Sequence, residues 1–150
     1  MARQITIEFE KGGRFVATLL DGNAPKTCES AWNALPIEGK VIHAAYAGEL
    51  IFTFADFKVS VVENPKVMGL QPGDIAYNTH ILPVQYPNGR LVPPELLFIY
   101  GPKVLPMGSC GWVPVNHFAK ITEGDLKDLE KVGARVKEKG TEKVTLTRRE

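Results

Sequence analysis

The sequence predicts a mainly β protein, a closed or nearly closed antiparallel β-barrel with two helices covering the barrel ends. Many short segments alternate apolar and polar residues with the period of two that is typical of half-buried strands. Two separated segments instead show the i, i+3, i+4, i+7 spacing of an amphipathic helix. Because the strands greatly outnumber the helices, a barrel closed at each end by a helix is the expected arrangement.

A single domain is expected over residues 1–150. A chain of this length buries close to 70% of the surface that its unfolded form exposes, which is enough for one core. Hydrophobic residues make up 44% of the sequence and charged residues 23%, as in ordinary globular proteins. No apolar run approaches the roughly 18 residues needed to span a bilayer, and the first residues lack a signal-peptide pattern. We therefore expect a cytosolic protein with no membrane partner.

The charge balance and the few metal-binding side chains exclude several other classes of partner. With 18 basic and 17 acidic residues the net charge is +1, which gives no reason to expect nucleic acid. Cys28 and Cys110 lack metal-site spacing, and we expect both to be small core residues rather than a redox pair. A metal site needs three or four converging ligands, and the sequence offers no such cluster. No metal and no cofactor is expected.

Two strands and a helix are predicted at the start of the chain. Apolar residues alternate over 5–9 and again over 15–19, and Lys11-Gly12-Gly13 between them is typical of a tight hairpin turn. The helix follows in "APKTCESAWNALP", where Pro25 suits the first turn and Pro36 ends the element. Four apolar side chains would share its buried face: Cys28, Ala31, Trp32 and Leu35.

The middle of the chain divides into a strand-rich part and a long loop. Residues 41–62 are dense in β-branched and aromatic side chains and predict two or three strands, one of them "FKVSVVE". Residues 64–94 are rich in proline and glycine, and only "DIAYNT" within them is typical of a strand. A loop of this length in a compact protein usually shapes a binding site or an oligomer contact.

Three strands and a helix are predicted after the loop. "ELLFIYG" is typical of a strand buried on both faces, "VNHFAKI" predicts another strand and "KVTLTR" a final one. Between the last two, "TEGDLKDLEKVGARVKEKG" predicts a helix with acidic residues in its first turn and basic residues in its last, as the helix dipole favours. Gly140 is a natural stop for this helix. Its apolar face would comprise Leu126, Leu129, Val132 or Gly133, and Val136.

Three stretches, in the same order along the chain, resemble cyclophilins. They are "ITIEFEKGGRFVATLLDGNAPKTCESAWNAL", "IHAAYAGELIFT", and "NHFAKITEGDLKDLEKVG" followed by "EKVTLTR". In the middle, "PGDIAY" and "LLFIYGP" are instead similar to the shorter bacterial and archaeal cyclophilin-like proteins of unassigned function, the group called DUF3830. "CESAWNALPIEGKVIHAAYAGEL" also resembles that group more than it resembles true cyclophilins. The resemblance implies a cyclophilin-like β-barrel.

The same resemblance implies that the catalytic residues of cyclophilins are missing. In cyclophilins the residue after the histidine of this strand is an arginine that hydrogen-bonds the substrate around the proline amide. Here His43 is followed by Ala44, and two further pocket positions hold Glu49 and Phe52 instead of an aromatic residue and a glutamine. Losing one preorganised donor costs about 2.7 to 4 kcal/mol of transition-state stabilisation. Efficient prolyl isomerisation is therefore not expected.

A barrel that keeps its wall but changes its polar groups can still hold a small ligand. His43 and Glu49 would share a face if one unbroken strand joined them, and could then act as a base with its orienting carboxylate or bind a cation. Each histidine could equally be a hydrogen-bonded structural group, and the tyrosines could be barrel-wall aromatics with the hydroxyl at the rim. The ligand-binding candidates at the strand ends and in the long loop are His43, Tyr46, Glu49, Tyr77, His80, Tyr100 and Trp112.

Two functional classes remain open on the sequence. The one we favour is a small-molecule binding or catalytic module, for a carboxylate or an amino-acid derivative, without efficient prolyl isomerase activity; it predicts a pocket with charged groups at its base. The alternative is a peptidyl-prolyl cis-trans isomerase or proline-peptide-binding module, which predicts an open apolar groove. A third interpretation is a structural subunit, for which the long proline-rich segment would supply the assembly contact. We expect a homo-oligomer.

Overall fold

The computed structural model describes residues 2–81, 83–108 and 111–149. The predicted core residue Cys110 lies outside these ranges. Two α-helices are present, α1 (Pro25–Ala34) and α2 (Leu126–Lys139), with a 3-10 turn at Ala45–Ala47. The strands are β1 (Gln4–Phe9), β2 (Arg14–Leu19), β3 (Ile37–His43), β4 (Gly48–Phe54), β5 (Pro65–Lys66), β6 (Asp74–Asn78), β7 (Glu95–Val104), β8 (Met107–Gly108), β9 (Gly111–Trp112), β10 (Val115–Glu123) and β11 (Glu142–Arg148).

Eight antiparallel strands close into a barrel in the order β2-β1-β11-β3-β4-β7-β6-β10. Pairing of β10 with β2 completes the ring, so the two strands that would be edges of an open sheet are hydrogen-bonded to each other. The short β5 pairs with β10, and β8 with β9 forms a separate hairpin. The predicted mainly β barrel with two helices is confirmed.

The barrel interior is filled by the alternating apolar side chains of its strands. The ring of Phe9 contacts those of Phe15 and Phe98 edge to face, with centroids 6.1 and 5.8 Å apart. Each such pair contributes about 0.5–1.5 kcal/mol beyond the burial of its area. The predicted alternation in β1 and β2 therefore does place their apolar residues in the core.

Helix α1 packs on the core at the end of the barrel where β2 ends. Pro25 occupies the first turn and Leu35 has an extended backbone, as the two flanking prolines predicted. Cys28 is fully buried and its thiol donates a hydrogen bond to the carbonyl oxygen of Phe118. Burial raises the pKa of this thiol to about 12, so Cys28 is a core residue rather than a reactive one.

Helix α2 packs on the core at the other end, beside the β1–β2 turn. Its buried residues are Leu129, Val132, Gly133 and Val136. The side chain of Asp125 accepts a hydrogen bond from the backbone N–H of Lys127 and caps the first turn. Leu126, predicted on the buried face, is 42% exposed because it lies in that first turn, beyond the barrel wall. No helix of the described ranges is long and apolar enough to cross a membrane.

The predicted strand "FKVSVVE" is wrong: the chain forms no strand over 55–64. Its neighbours in the sheet are already occupied, since β6 pairs with β7 on one side and β10 on the other. Side chains satisfy its backbone instead. The Tyr77 hydroxyl donates to the carbonyl oxygen of Phe57 and accepts from the N–H of Val59, and the Asn116 amide donates to the carbonyl of Val61.

Strand β7 is buried on both faces, as predicted for an uninterrupted apolar run. Phe98 points into the barrel, so Leu97 and Ile99 point outward, and so does Ala76 of β6. These outward side chains form a second apolar cluster on the outside of the barrel wall, the outer cluster. Its members are Ala44, Ala47, Leu50, Phe52, Leu70, Ala76, Leu97, Ile99 and Val115.

Candidate functional site

A cavity of about 630 Å³ adjoins the outer face of β6 and β7. This volume is in the range of sites for small organic molecules. Its position follows from the sheet, because Asn78 and Glu95 are paired across the two strands and point to the same outer face as Ala76 and Leu97. The cavity is lined by Tyr46, Asn78, His80, Ile81, Val84, Val92, Glu95, Met107, Gly108, Gly111, Trp112, Val113 and Pro114.

A histidine and a carboxylate face each other in this otherwise mainly apolar lining. Nε2 of His80 lies 3.9 Å from Oε2 of Glu95, and the two side chains are only 14% and 13% exposed. Asn78 holds both residues. Its amide nitrogen donates to Oε1 of Glu95 at 3.1 Å, and its amide oxygen accepts from the backbone N–H of His80 at 2.9 Å. One amide side chain thus holds the carboxylate of Glu95 and the backbone of His80.

The backbone of His80 has a left-handed conformation, with φ of 51°. Such a conformation costs roughly 1–2 kcal/mol for a residue other than glycine. The hydrogen bond from the N–H of His80 to Asn78 closes a local turn that holds it. Strain of this kind is found most often where a side chain must be presented in one direction.

Burial raises the pKa of the Glu95 carboxyl above its ordinary value. The facing His80 and the hydrogen bond from Asn78 both act in the opposite direction and do not offset the burial. Burial, followed by the charge of Glu95, raises the pKa of Tyr46 as well. A carboxyl group that is partly desolvated beside an imidazole is an arrangement often found at functional sites, because it can accept or release a proton closer to neutral pH.

Three of the seven sequence-predicted candidates, Tyr46, His80 and Trp112, meet in this cavity. Sequence reasoning did not single out Asn78 and Glu95. Glu95 was detectable in principle, since it stands at the head of a strand predicted to be buried on both faces, where a charged side chain needs a partner.

His43 and Tyr100 form a pair of their own at the α2 end of the barrel. Nε2 of His43 lies 2.5 Å from the hydroxyl oxygen of Tyr100. The tyrosine ring packs on Gly133 of α2, where a Cβ atom would lie 2.3 Å from the ring. Burial, and then the charge of Lys137, lowers the pKa of His43. Neither residue lines the cavity, and their contacts indicate a structural role.

Glu49 does not continue the strand of His43. β3 ends at His43, and β4 begins at Gly48, whose φ of 102° and close approach to the Lys103 carbonyl leave no room for a side chain. Oε1 of Glu49 accepts a hydrogen bond from the backbone N–H of Lys103 at 2.9 Å. The condition on which a shared face depended, one unbroken strand, is therefore not met.

The remaining candidate, Tyr77, is fully buried inside the barrel. Its ring stacks on Phe57, and its hydroxyl bonds the backbone of Phe57 and Val59. It anchors the irregular segment rather than lining the cavity.

The position of the cyclophilin arginine lies in the outer cluster. Ala44 is 3% exposed and packs among residues such as Phe52 and Leu70. An arginine side chain at this position would have to displace that packing. The surroundings of Ala44 thus agree with the absence of the arginine from the sequence.

A second histidine–carboxylate pair lies on the same outer face, without a place in the cavity. A bulge in β10 after His117 leaves this histidine opposite Ala76, with Nε2 3.1 Å from Oδ1 of Asp74. The backbone N–H of Gln71 donates to Oδ2 of Asp74 at 2.7 Å. Burial alone would raise the pKa of Asp74, but His117 and the Gln71 N–H outweigh it and hold the pKa below its ordinary value.

Within the described ranges, no three His, Cys, Asp or Glu side chains are arranged to hold a metal ion. The expectation of no metal and no cofactor stays a prediction.

The family model described as "Protein of unknown function (DUF3830)" matches residues 5–148. The chain belongs to the DUF3830 family. This confirms the group to which the quoted motifs are similar. No curated protein matches the sequence.

Solved structures similar to this DUF3830 protein confirm the fold. A structure of McbB in complex with tryptophan matches with a TM-score of 0.71 and 16% identity, over 97% of this chain and 44% of McbB. The hypothetical protein AF2241 from Archaeoglobus fulgidus matches with a TM-score of 0.58 and 21% identity, over 99% of this chain and 95% of that one. A cyclophilin-type peptidyl-prolyl cis-trans isomerase from Cryptosporidium parvum gives a TM-score of 0.56 and 12% identity, over 100% and 99% of the two chains.

The chain thus spans less than half the length of McbB. At these identities the likeness shows the fold alone, since one fold carries many functions.

Proposed function

We propose that this DUF3830 protein binds a small organic molecule in the cavity beside β6 and β7. The observation that carries the proposal is a cavity of about 630 Å³ with mainly apolar walls and one buried imidazole–carboxylate pair, His80 and Glu95. Apolar walls with a few placed polar groups are the usual composition of a small-molecule site. The walls would bury the body of the ligand, and the pair would orient its polar group.

An amino-acid derivative is the ligand class that we favour. Trp112 and Tyr46 supply flat aromatic surface, and Asn78 and Glu95 supply hydrogen-bonding groups at one side of the cavity. The McbB structure contains tryptophan, an aromatic amino acid, in complex with a protein of similar fold. That precedent supports an aromatic ligand.

Prolyl isomerisation is the less favoured alternative. The buried environment of Ala44 offers no donor to a twisting amide, and the cavity contains a carboxylate where a groove for proline would be apolar. No feature of the described residues favours a peptide over a small molecule.

A thermal-shift screen with amino acids, their amides and esters, and small carboxylates tests the proposal. A ligand that binds only the folded state at 100 times its Kd stabilises that state by about 2.7 kcal/mol and raises the melting temperature by several degrees. Val84→Trp, which fills part of the cavity, should abolish the shift. Val62→Trp is the matched control, because Val62 is 48% exposed and lies outside the cavity.

The proposal fails if no compound stabilises the wild-type protein, or if Val84→Trp binds as well as Val62→Trp. A proline-peptide isomerase assay belongs beside the screen. Turnover comparable to that of cyclophilins would favour the alternative.

A further inference from the structure

We propose that the cavity selects cations: its ligand presents a primary amine or another charged N–H group to Glu95, on an apolar body with no free carboxylate beside it. This inference rests on the proposed function and names the ligand class more closely. It would exclude simple carboxylates and favour amines, amides or esters of amino acids.

The first reason for cation selection is the charge of the residues that line the cavity. Glu95 is the one acidic residue among the described lining residues, and none of them is lysine or arginine. Three residues next to the lining in sequence lie outside the ranges that the structure describes, and none of them is lysine or arginine either: Leu82, Ser109 and Cys110. A ligand carboxylate would therefore lie near Glu95 without a guanidinium or ammonium group to pair with, and like charges at a buried site repel strongly.

The hydrogen bonding of Glu95 carries the second step. Oε1 accepts from Asn78, whereas Oε2 is 3.9 Å from Nε2 of His80, which is too long for a hydrogen bond. Nε2 of His80 is itself buried and has no hydrogen-bond partner among the described residues. Oε2 thus retains the capacity to accept a bond, and a charged N–H donor is the partner that a buried carboxylate binds most strongly.

The aromatic residues of the lining carry the third step. Trp112 and Tyr46 both contribute to the cavity wall, and the faces of such rings attract a cation within about 6 Å. The same rings attract an anion less. The aromatic surface and the carboxylate therefore favour the same sign of charge on the ligand.

Protonation of Glu95 makes the selection dependent on pH. The groups that face this carboxyl are Asn78 at the end of β6, His80 just after it, and Tyr46 of the 3-10 turn; Phe54, paired with Glu95 from β4, is uncharged. Since burial raises the pKa of Glu95, the preference for a cation should decline as the pH falls and this carboxyl becomes protonated.

Two matched ligand series test the proposal by isothermal titration calorimetry. The first comprises 2-phenylethylamine, 2-phenylethanol, 3-phenylpropanoate and phenylalanine, and the second their indole counterparts. At neutral pH we expect the amine to bind about ten- to a hundredfold more tightly than the alcohol, the value of a hydrogen bond to a charged group. The carboxylate should bind least.

The result also separates this inference from the proposed function. If a carboxylate binds as tightly as the amine, or if the free amino acid binds better than its amine, the cation selection is overturned while the small-molecule site stands. If the alcohol binds and the amine does not, the selection is again overturned. If no member of either series binds, the cation selection is overturned, and the thermal-shift screen decides the small-molecule site by itself.

The variant Glu95→Gln tests whether the Glu95 carboxylate is the group that produces the preference for a cation. The amide keeps the shape of the side chain and can still accept from Asn78, so the alcohol should bind as before while the amine loses its ten- to hundredfold advantage. Glu38→Gln is the matched control, because Glu38 is exposed and paired with Lys143 outside the cavity. An unchanged amine preference in Glu95→Gln overturns the proposal.

A pH series on the unmodified protein gives a second measurement that does not depend on a variant folding. The amine-to-alcohol affinity ratio should fall towards one as the pH is lowered. A ratio that is constant across that range contradicts the role of Glu95.

Discussion

Two histidine–carboxylate pairs on the same face of the barrel differ in almost every physical respect. Asp74 and His117 are 3.1 Å apart and nearly inaccessible, and the second carboxylate oxygen of Asp74 accepts a backbone N–H. Glu95 and His80 are 3.9 Å apart and border a cavity. The residue types are similar, yet only the second pair lines the cavity. We call Asp74 and His117 the closed pair, and Glu95 and His80 the open pair.

The pKa values of the two carboxyl groups are shifted in opposite directions. Neighbouring donors lower the pKa of Asp74 despite its burial, whereas burial raises the pKa of Glu95 because fewer groups compensate for the lost water. Each carboxylate oxygen of Asp74 has a nitrogen atom within 3.1 Å, and this group connects neighbouring parts of the barrel. Oε2 of Glu95 lies 3.9 Å from His80 and is left able to bind a ligand.

The largest expected effect comes from breaking the closed pair. Asp74→Ala leaves the buried His117 without its partner and removes the acceptor of the Gln71 backbone N–H, and we expect the free energy of unfolding to fall by about 3–5 kcal/mol. Urea denaturation at neutral pH measures it. Asp56→Ala, at an exposed position, should change the same quantity by less than about 0.5 kcal/mol. A loss in Asp74→Ala no larger than that of the control would contradict the structural role of the pair.

Substitution of Glu95 in the open pair should have a smaller effect on the free energy of unfolding, and of opposite sign. A carboxyl whose pKa is raised by folding favours the protonated form, so it lowers stability as the pH rises from about 4.5 through the folded pKa. Glu95→Gln lacks this loss and should be about 1 kcal/mol more stable than the wild type at neutral pH, or about 2–4 °C in melting temperature.

The gain should disappear in acid, below the pKa of the unfolded carboxyl. Melting temperatures of both proteins across the pH range check this. A variant that is less stable than the wild type at neutral pH would show that the open pair is structural after all.

The smallest effect on stability is expected at the aromatic wall of the cavity. Trp112 is 63% exposed, so Trp112→Ala should alter the free energy of unfolding by no more than about 0.5 kcal/mol. The affinity for an aromatic amine should nevertheless fall severalfold, because a cation–π contact contributes about 0.5–2 kcal/mol. A large loss of stability with unchanged affinity would reverse the assignment of this residue.

Much of the fold was predictable because it depends on local periodicity. The strands at either end of the chain, both helices and their proline and glycine boundaries all follow from the alternation and spacing of apolar residues. The strand predicted over "FKVSVVE" failed because the barrel offers it no free neighbour, a fact of topology rather than propensity. The oligomeric state stays a prediction.

The candidate site was predictable only in part. Tyr46, His80 and Trp112 were accessible because aromatic and histidine residues in a loop-rich segment are natural candidates. His43 and Glu49 appeared to be a pair in sequence, but the chain turns between them at Gly48. Glu95 was missed because the residue that it faces, His80, lies fifteen residues earlier in the chain, just beyond the end of β6.

The sequence by itself determined both helices and most of the strands, the absence of the cyclophilin arginine and the family, since these depend on residues close together in the chain. Only the tertiary structure decided that β10 closes on β2, that a cavity opens outside β6 and β7, and which histidine faces which carboxylate. The physical reason is that burial and long-range pairing set the charge and the hydrogen bonds of a side chain, and neither is a property of its sequence neighbours.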